Sequence, residues 1–140
     1  MIDVIIPIYN VNIRQLKTCL MSVAAQTIVE KLEITIVDDG SSTIDKQLDS
    51  LLDKIQVLVP VQILRYEENH GPGYARQYGI DHTDNEYIMF IDADDMLTPV
   101  AAETLLRGFL LYPDKAISMG EFYDLNTETM VTDIVKIQLS

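Results

Sequence analysis

The residues best suited to chemistry close the stretch Glu86-Tyr87-Ile88-Met89-Phe90-Ile91-Asp92-Ala93-Asp94-Asp95, an apolar run that stops at three carboxylates. Tyr87 to Ile91 has the length and the aromatic, β-branched content of a fully buried strand. The acids then fall where that strand leaves the sheet, the edge at which open α/β sheets bind ligands. Asp92 and Asp94 are separated by one residue, so an extended backbone sends both side chains to the same side. Carboxylates held that close repel, and one is driven to take up a proton unless a cation joins them. Mg²⁺ or Mn²⁺, hard ions that prefer oxygen, relieve the repulsion and keep coordination positions for phosphate oxygens. The plainer reading is that the acids solvate a turn and cap a helix begun by Thr98-Pro99. A cap takes one acid, so it serves for Asp95 as well as metal binding does and leaves Asp92 and Asp94 to be explained.

Two further polar clusters end apolar runs: Tyr9-Asn10, and Asp38-Asp39-Gly40-Ser41. The doubly wound rule gathers such strand ends into one crevice. Tyr9 offers a flat face for a base, or packs as a half-buried core aromatic. Asp39 can accept from a base or ribose donor, and Asp92 from a ribose hydroxyl or a metal-bound water, while Asp94 ligates the metal. Arg76 brings a fixed charge and a planar fork suited to a diphosphate or a base carbonyl, or pairs with one of the twenty-two acids. His70 has no second histidine nearby and reads as a solvated loop residue. Gly71-Pro72-Gly73 lacks the Lys-Ser/Thr of a phosphate loop.

The elements that must position these groups follow from the pattern. Ile2 to Ile8 is a buried first strand, Leu16, Cys19, Leu20, Val23 and Ala24 mark a helix, and Leu32 to Val37 is a second strand. Leu48, Leu51, Leu52 and Ile55 give a second helix, closed off by Pro60, and Val61 to Tyr66 a third strand. A glycine-bearing loop leads into a helix reaching about Asp81, the acid-tipped strand follows, and then a helix from Pro99 to about Leu111. Ala116 to Tyr123 reads as a further strand, and Met130 to Leu139 alternates as a half-exposed one does. The alternation predicts an α/β fold, a mostly parallel sheet flanked by helices, with residues 1–140 forming one domain.

Composition narrows the function. A hydrophobic share of 48% fits a globular chain, and a net charge of −12 disfavours nucleic acid and anionic membrane as partners. The same charge repels a nucleotide phosphate and makes a bridging cation more necessary. Cys19, alone, excludes a disulfide within the chain and reads as a buried thiol. No signal peptide or membrane-spanning run is evident, so the expected location is the cytoplasm. The last strand, with an uncovered edge, could pair with another copy as a homo-oligomer.

Taken together, Val4 to Asn10, Leu20 to Thr27, Ile36 to Ser42, Asn69-His70-Gly71, Ala75 to Ile80 and Glu86 to Asp95 with Pro99 resemble the nucleotide-sugar-binding part of a family 2 glycosyltransferase with the GT-A fold. The resemblance covers roughly the first hundred residues and fades beyond Leu111. It implies a nucleotide-diphospho-sugar donor, most often a UDP-sugar, bound with Mn²⁺ or Mg²⁺, and an inverting transfer to an acceptor hydroxyl. It places Pro7, Tyr9, Asp38, Asp39, Arg76 and Asp92 at the nucleotide, with Tyr9 on the base and Asp39 on uracil. Asp92 is placed at the ribose and Asp94 at the metal, which Asp92 also borders. Gln77 stands where the family often has the asparagine of Ala-Arg-Asn. The family's general base comes from a later half that this chain does not reach; Glu121 and Asp124 are the only late acids with a suitable position. The chain reads as a donor-binding domain cut from a longer enzyme or a natural short form, its C-terminal part truncated. Two other classes compete: a catalytically incomplete nucleotide-binding or assembly module, and a Mg²⁺-dependent receiver domain, which expects its acid pair after the first strand.

Overall fold

The computed structural model describes residues 1–43, 46–119 and 138–139. Strands β1 (Ile2–Ile8), β2 (Leu32–Asp39), β3 (Val61–Tyr66) and β4 (Tyr87–Phe90) alternate with helices α1 (Ile13–Ala24), α2 (Gln47–Gln56) and α3 (Pro72–Asp81). Helix α4 (Ala101–Leu111) and two short strands, β5 (Ser118–Met119) and β6 (Gln138–Leu139), follow. The sheet runs β3-β2-β1-β4-β6-β5. The first four strands are parallel, and β6 lies antiparallel to both β4 and β5.

This order creates the site. The chain builds outward from β1 through β2 to β3, then crosses back to lay β4 on the other side of β1. Strand order therefore reverses between β1 and β4, and a crevice opens at their carboxyl ends. The register aligns those ends: Ile8 lies opposite Asp38, and Asp39 opposite Tyr66.

Side chains alternate along β1 between two cores. Ile2, Val4, Ile6 and Ile8 pack with Leu16, Leu20 and Val23 of α1, Leu48 and Ile55 of α2, and Leu105 and Phe109 of α4. Ile5 faces the other way, against Val37, Ala75 and Ile88 under α3. Burial on both faces explains the unbroken apolar runs of β1 and β2. Helix α3 sits close because of Gly79: a Cβ there would come within 2.8 Å of the Ile5 side chain. The buried polar residues Asp3 and Thr35 lie in this sheet. Asp3 is buried and accepts from the Thr35 hydroxyl at 2.8 and 3.0 Å, and Gln62 Nε2 donates to the same hydroxyl oxygen at 2.9 Å. Burial raises the Asp3 carboxyl above its usual range, the Thr83 and Thr35 hydrogen bonds oppose the rise, and Glu33 adds to it.

Several boundaries differ from the sequence expectation. Helix α4 starts at Ala101 instead of Pro99, because Pro99 and Val100 form a turn in which Ala101 N donates to Thr98 O. Strand β4 stops at Phe90, although Ile91 N still reaches Ile5 O at 3.3 Å. Of the strands expected over Ala116 to Tyr123 and Met130 to Leu139, only Ser118–Met119 and Gln138–Leu139 are seen, and the remaining residues from 120 to 137 lie outside the described residues.

Candidate active site

The β1 and β2 exits are fastened to each other. Asn10 takes a left-handed backbone (φ 46°), its N–H donates to Ser41 Oγ, and its Oδ1 accepts from Ser42 N at 2.9 Å and Thr43 N at 3.2 Å. Asn10 is among the residues that tolerate that conformation, since its short amide can bond locally. Just before it, Pro7 is half-buried within β1 opposite Val37, and Tyr9 is 51% exposed, its ring outside the core.

The acid pair that closes β2 is consumed internally. Asp38 is buried, accepts from Ser41 N at 3.0 Å and lies 3.6 Å from Arg65 Nε. Asp39, 3% exposed, accepts four hydrogen bonds. Tyr66 Oη (2.6 Å) and His70 N (2.9 Å) reach Oδ1, while Asn69 Nδ2 (2.9 Å) and Gly71 N (2.8 Å) reach Oδ2. An ionised carboxylate has about four acceptor positions, so Asp39 is saturated. Burial first, and then the Asp39 carboxylate that takes its hydrogen bond, push the Tyr66 hydroxyl up. Gly40 makes the approach possible: φ is +71°, and a Cβ would meet Asn69 N at 2.6 Å. His70 lies in the loop and is exposed, as the sequence suggests, and its ring packs on Tyr74 with centroids 4.3 Å apart. Tyr66, Tyr74, Tyr78 and His82 continue this aromatic row along α3.

The acids after β4 are arranged differently. The chain turns at once, with Asp95 N donating to Asp92 O at 3.0 Å, so the extended backbone expected to align Asp92 with Asp94 is absent. The turn gathers more than the strand would have: carboxylate oxygens of Asp92, Asp94 and Asp95 lie within 4.8 Å of one another. Ala93, between Asp92 and Asp94 in sequence, is buried in the core. Asp95 does not cap α4, whose N-cap position is Val100. Arg76 Nη2 reaches Asp92 Oδ1 at 2.8 Å, with the Asp92 side chain 54% exposed. An all-oxygen donor set, exposed and acid-rich, fits a hard divalent cation and leaves sides open for phosphate oxygens.

Helix α1, with Gln26 just past its C-terminus, holds this turn in place. Cys19 Sγ donates to Asp92 O at 3.6 Å, Ser22 Oγ accepts from Leu97 N at 3.0 Å, and Gln26 Nε2 donates to Thr98 O at 2.7 Å. Gln26 Oε1 accepts from Ala102 N at 2.9 Å, tying the start of α4 to the segment that follows α1. Burial first, and then the charges of Asp95, Asp92 and Asp94, push the Cys19 thiol up to about 12, which keeps it unreactive at neutral pH. The readable signal for Ser22 was its position on the face that also carries Cys19 and Val23, where a polar side chain must find a partner.

Of the residues expected at the site, the structure joins Asp92, Asp94 and Arg76, adds Asp95, and leaves Tyr9 exposed at the neighbouring exit. Asp38 and Asp39 sit at the same edge but turn inward. Glu121 and Asp124 lie outside the described residues. No described helix is long and apolar enough to cross a membrane.

Comparisons with known proteins agree with this architecture. The putative glycosyltransferase EpsH of Bacillus subtilis is 33% identical over 137 residues, 96% of this chain and 38% of EpsH. Glycosyltransferase GlyA of Streptococcus pneumoniae is 30% identical over 89% of this chain and 17% of its own length. An N-acetylglucosaminyltransferase of Bradyrhizobium elkanii is 32% identical over 94% of this chain and 71% of its own. This chain therefore spans well under half of two of these relatives. Residues 1–349 of TarS from S. aureus, solved in complex with UDP-GlcNAc, superpose with a TM-score of 0.66 at 25% identity over 84% of this chain and 32% of that one. At 22% identity the mannosyltransferase PcManGT from Pyrobaculum calidifontis, solved with GDP-Man and Mn²⁺, shares the fold, with a TM-score of 0.57 over 68% of this chain and 28% of that one. The family described as Glycosyl transferase family 2 matches residues 3–131, nearly the whole sequence and all of the crevice, and the chain belongs to it.

Proposed function

We propose that this chain binds a UDP-sugar through a divalent cation and supports inverting transfer of the sugar to an acceptor hydroxyl. The observation that carries the reading is the three-acid turn with Arg76 on Asp92, set at the point where strand order reverses. The UDP-GlcNAc complex of TarS and the name of the Bradyrhizobium relative support a UDP-sugar and make N-acetylglucosamine the first sugar to try. Mn²⁺ in the PcManGT complex supports the cation.

In this reading Tyr9 presents its ring to the base, with Pro7 stiffening the strand that leads to it. Asp38 and Asp39 shape the base end by fixing the 39–43 turn and the 66–71 segment; a base N–H would bond Asp39 only by displacing one of its four donors. Asp92 and Asp94 would hold the cation, Asp92 also bordering the ribose, and Arg76 would meet the diphosphate. A bound Mn²⁺ or Mg²⁺ would supply charge to offset that on the departing diphosphate. In the transfer the acceptor oxygen bonds to the anomeric carbon, the bond to the diphosphate oxygen breaks with its electron pair, and the acceptor proton passes to a base. That base belongs outside the described residues.

Titrating UDP into metal-free protein, then repeating with Mn²⁺, tests this. Binding that requires Mn²⁺ is expected. A folded sample that binds UDP under neither condition would overturn the reading. Mn²⁺-dependent binding without turnover of any UDP-sugar and acceptor would leave a binding module in place of an enzyme. A receiver-type function has no support here, since one acid pair closes β2 and the other acids follow β4, with none directly after β1.

A further inference from the structure

Arg76 occupies an oxygen that the donor site needs. Its Nη2 lies 2.8 Å from Asp92 Oδ1, and no other described cation forms an ion pair with Asp92 or Asp94. The guanidinium cannot shed its charge. A divalent cation approaching Asp92 therefore meets a carboxylate already neutralised, and a like charge beside it. The contact is nonetheless open to exchange, because 34% of the Arg76 side chain and 54% of the Asp92 side chain are exposed. A diphosphate presents paired oxygens that match the guanidinium fork and carries more charge than one carboxylate.

Resting on the donor-site reading above, we propose that Arg76 is a resident cation that neutralises Asp92 in the nucleotide-free protein and transfers to the diphosphate when the donor arrives. Asp92 is thereby released to the incoming divalent cation, and nucleotide and metal bind as a coupled pair. The coupling runs both ways, each ligand raising the affinity of the other by the same factor. The arrangement keeps the acidic turn from collecting metal in the absence of donor.

The test is Mn²⁺ affinity, read by water-proton relaxation, with and without saturating UDP, in the wild type, Arg76→Gln and Arg76→Lys. In the wild type UDP should tighten Mn²⁺ binding by about tenfold or more. Arg76→Gln should bind Mn²⁺ alone about fivefold or more tighter than the wild type and lose most of the UDP-dependent gain. Arg76→Lys, which keeps the charge without the fork, should still suppress Mn²⁺ binding while its gain with UDP falls. If both variants bind Mn²⁺ alone as the wild type does, or more weakly, Arg76 does no more than orient Asp92 and the proposal is wrong. The donor-site reading survives that result so long as the wild type binds UDP with Mn²⁺. A wild type that binds no UDP with Mn²⁺ removes both.

Discussion

Acids close β2 and follow β4 at the same edge of one sheet, and the two groups meet opposite fates. At the β2 exit, Asp38 and Asp39 are buried and spend their lone pairs on protein donors. At the β4 exit, Asp92 and Asp94 are exposed, and among the described residues the single ion pair they make is Arg76 on Asp92. The difference lies in what each neighbour supplies. Beside β2 stands β3, whose end delivers Tyr66 and then a run of donors at Asn69, His70 and Gly71. Beyond β4 the chain turns on itself, and α1 offers that turn bonds directed at its backbone, not at the carboxylates of Asp92 and Asp94. Similar acids thus frame the crevice at one exit and face into it at the other.

The sharpest way to break this comparison is Asp39→Ala. It would strand four donors that a buried carboxylate now satisfies, and should cost roughly 3–5 kcal/mol of stability, read by urea unfolding. If Asp39→Ala unfolds outright, Asp39→Asn, which keeps one acceptor oxygen, should show a smaller loss in the same assay. A normal stability coupled with lost UDP binding would make the two exits alike. Asp94→Ala should do the reverse: Mn²⁺-dependent UDP binding disappears in calorimetry, while the unfolding midpoint moves by less than about 0.5 kcal/mol of equivalent stability. Tyr9→Ala tests the exposed ring. Loss of a base-stacking face should weaken UDP by roughly 1–3 kcal/mol, with the Mn²⁺ requirement unchanged.

The smallest effect concerns Asp3, a buried acid away from both exits. Its carboxyl is raised in the folded protein, so between the unfolded and folded values the native state holds more protons than the unfolded one. Stability therefore falls as pH rises through that window. Asp3→Asn, which does not titrate, should flatten the pH dependence of the urea midpoint above about pH 4. An unchanged slope would show that Asp3 is not the group responsible.

The strands were legible because both faces of β1 and β2 are buried, which writes continuous apolar runs into the chain. The acid clusters at their ends marked the crevice for the same reason. The saturation of Asp39 was not legible, since its donors lie 27 to 32 residues later and reach it only through the β2-β3 register. Nor was the turn at Asp92, where strand periodicity pointed to an extended pair and the chain turns instead, with Ala93 buried.

The sequence by itself determined the alternation of elements, the edge of the sheet that carries chemistry, and the acid types gathered there, because hydrophobic period and strand length are local properties. Only the tertiary structure decided which acids stay available. That depends on which donors the fold brings within about 3 Å of each carboxylate, and strand order and helix packing set that distance across dozens of residues.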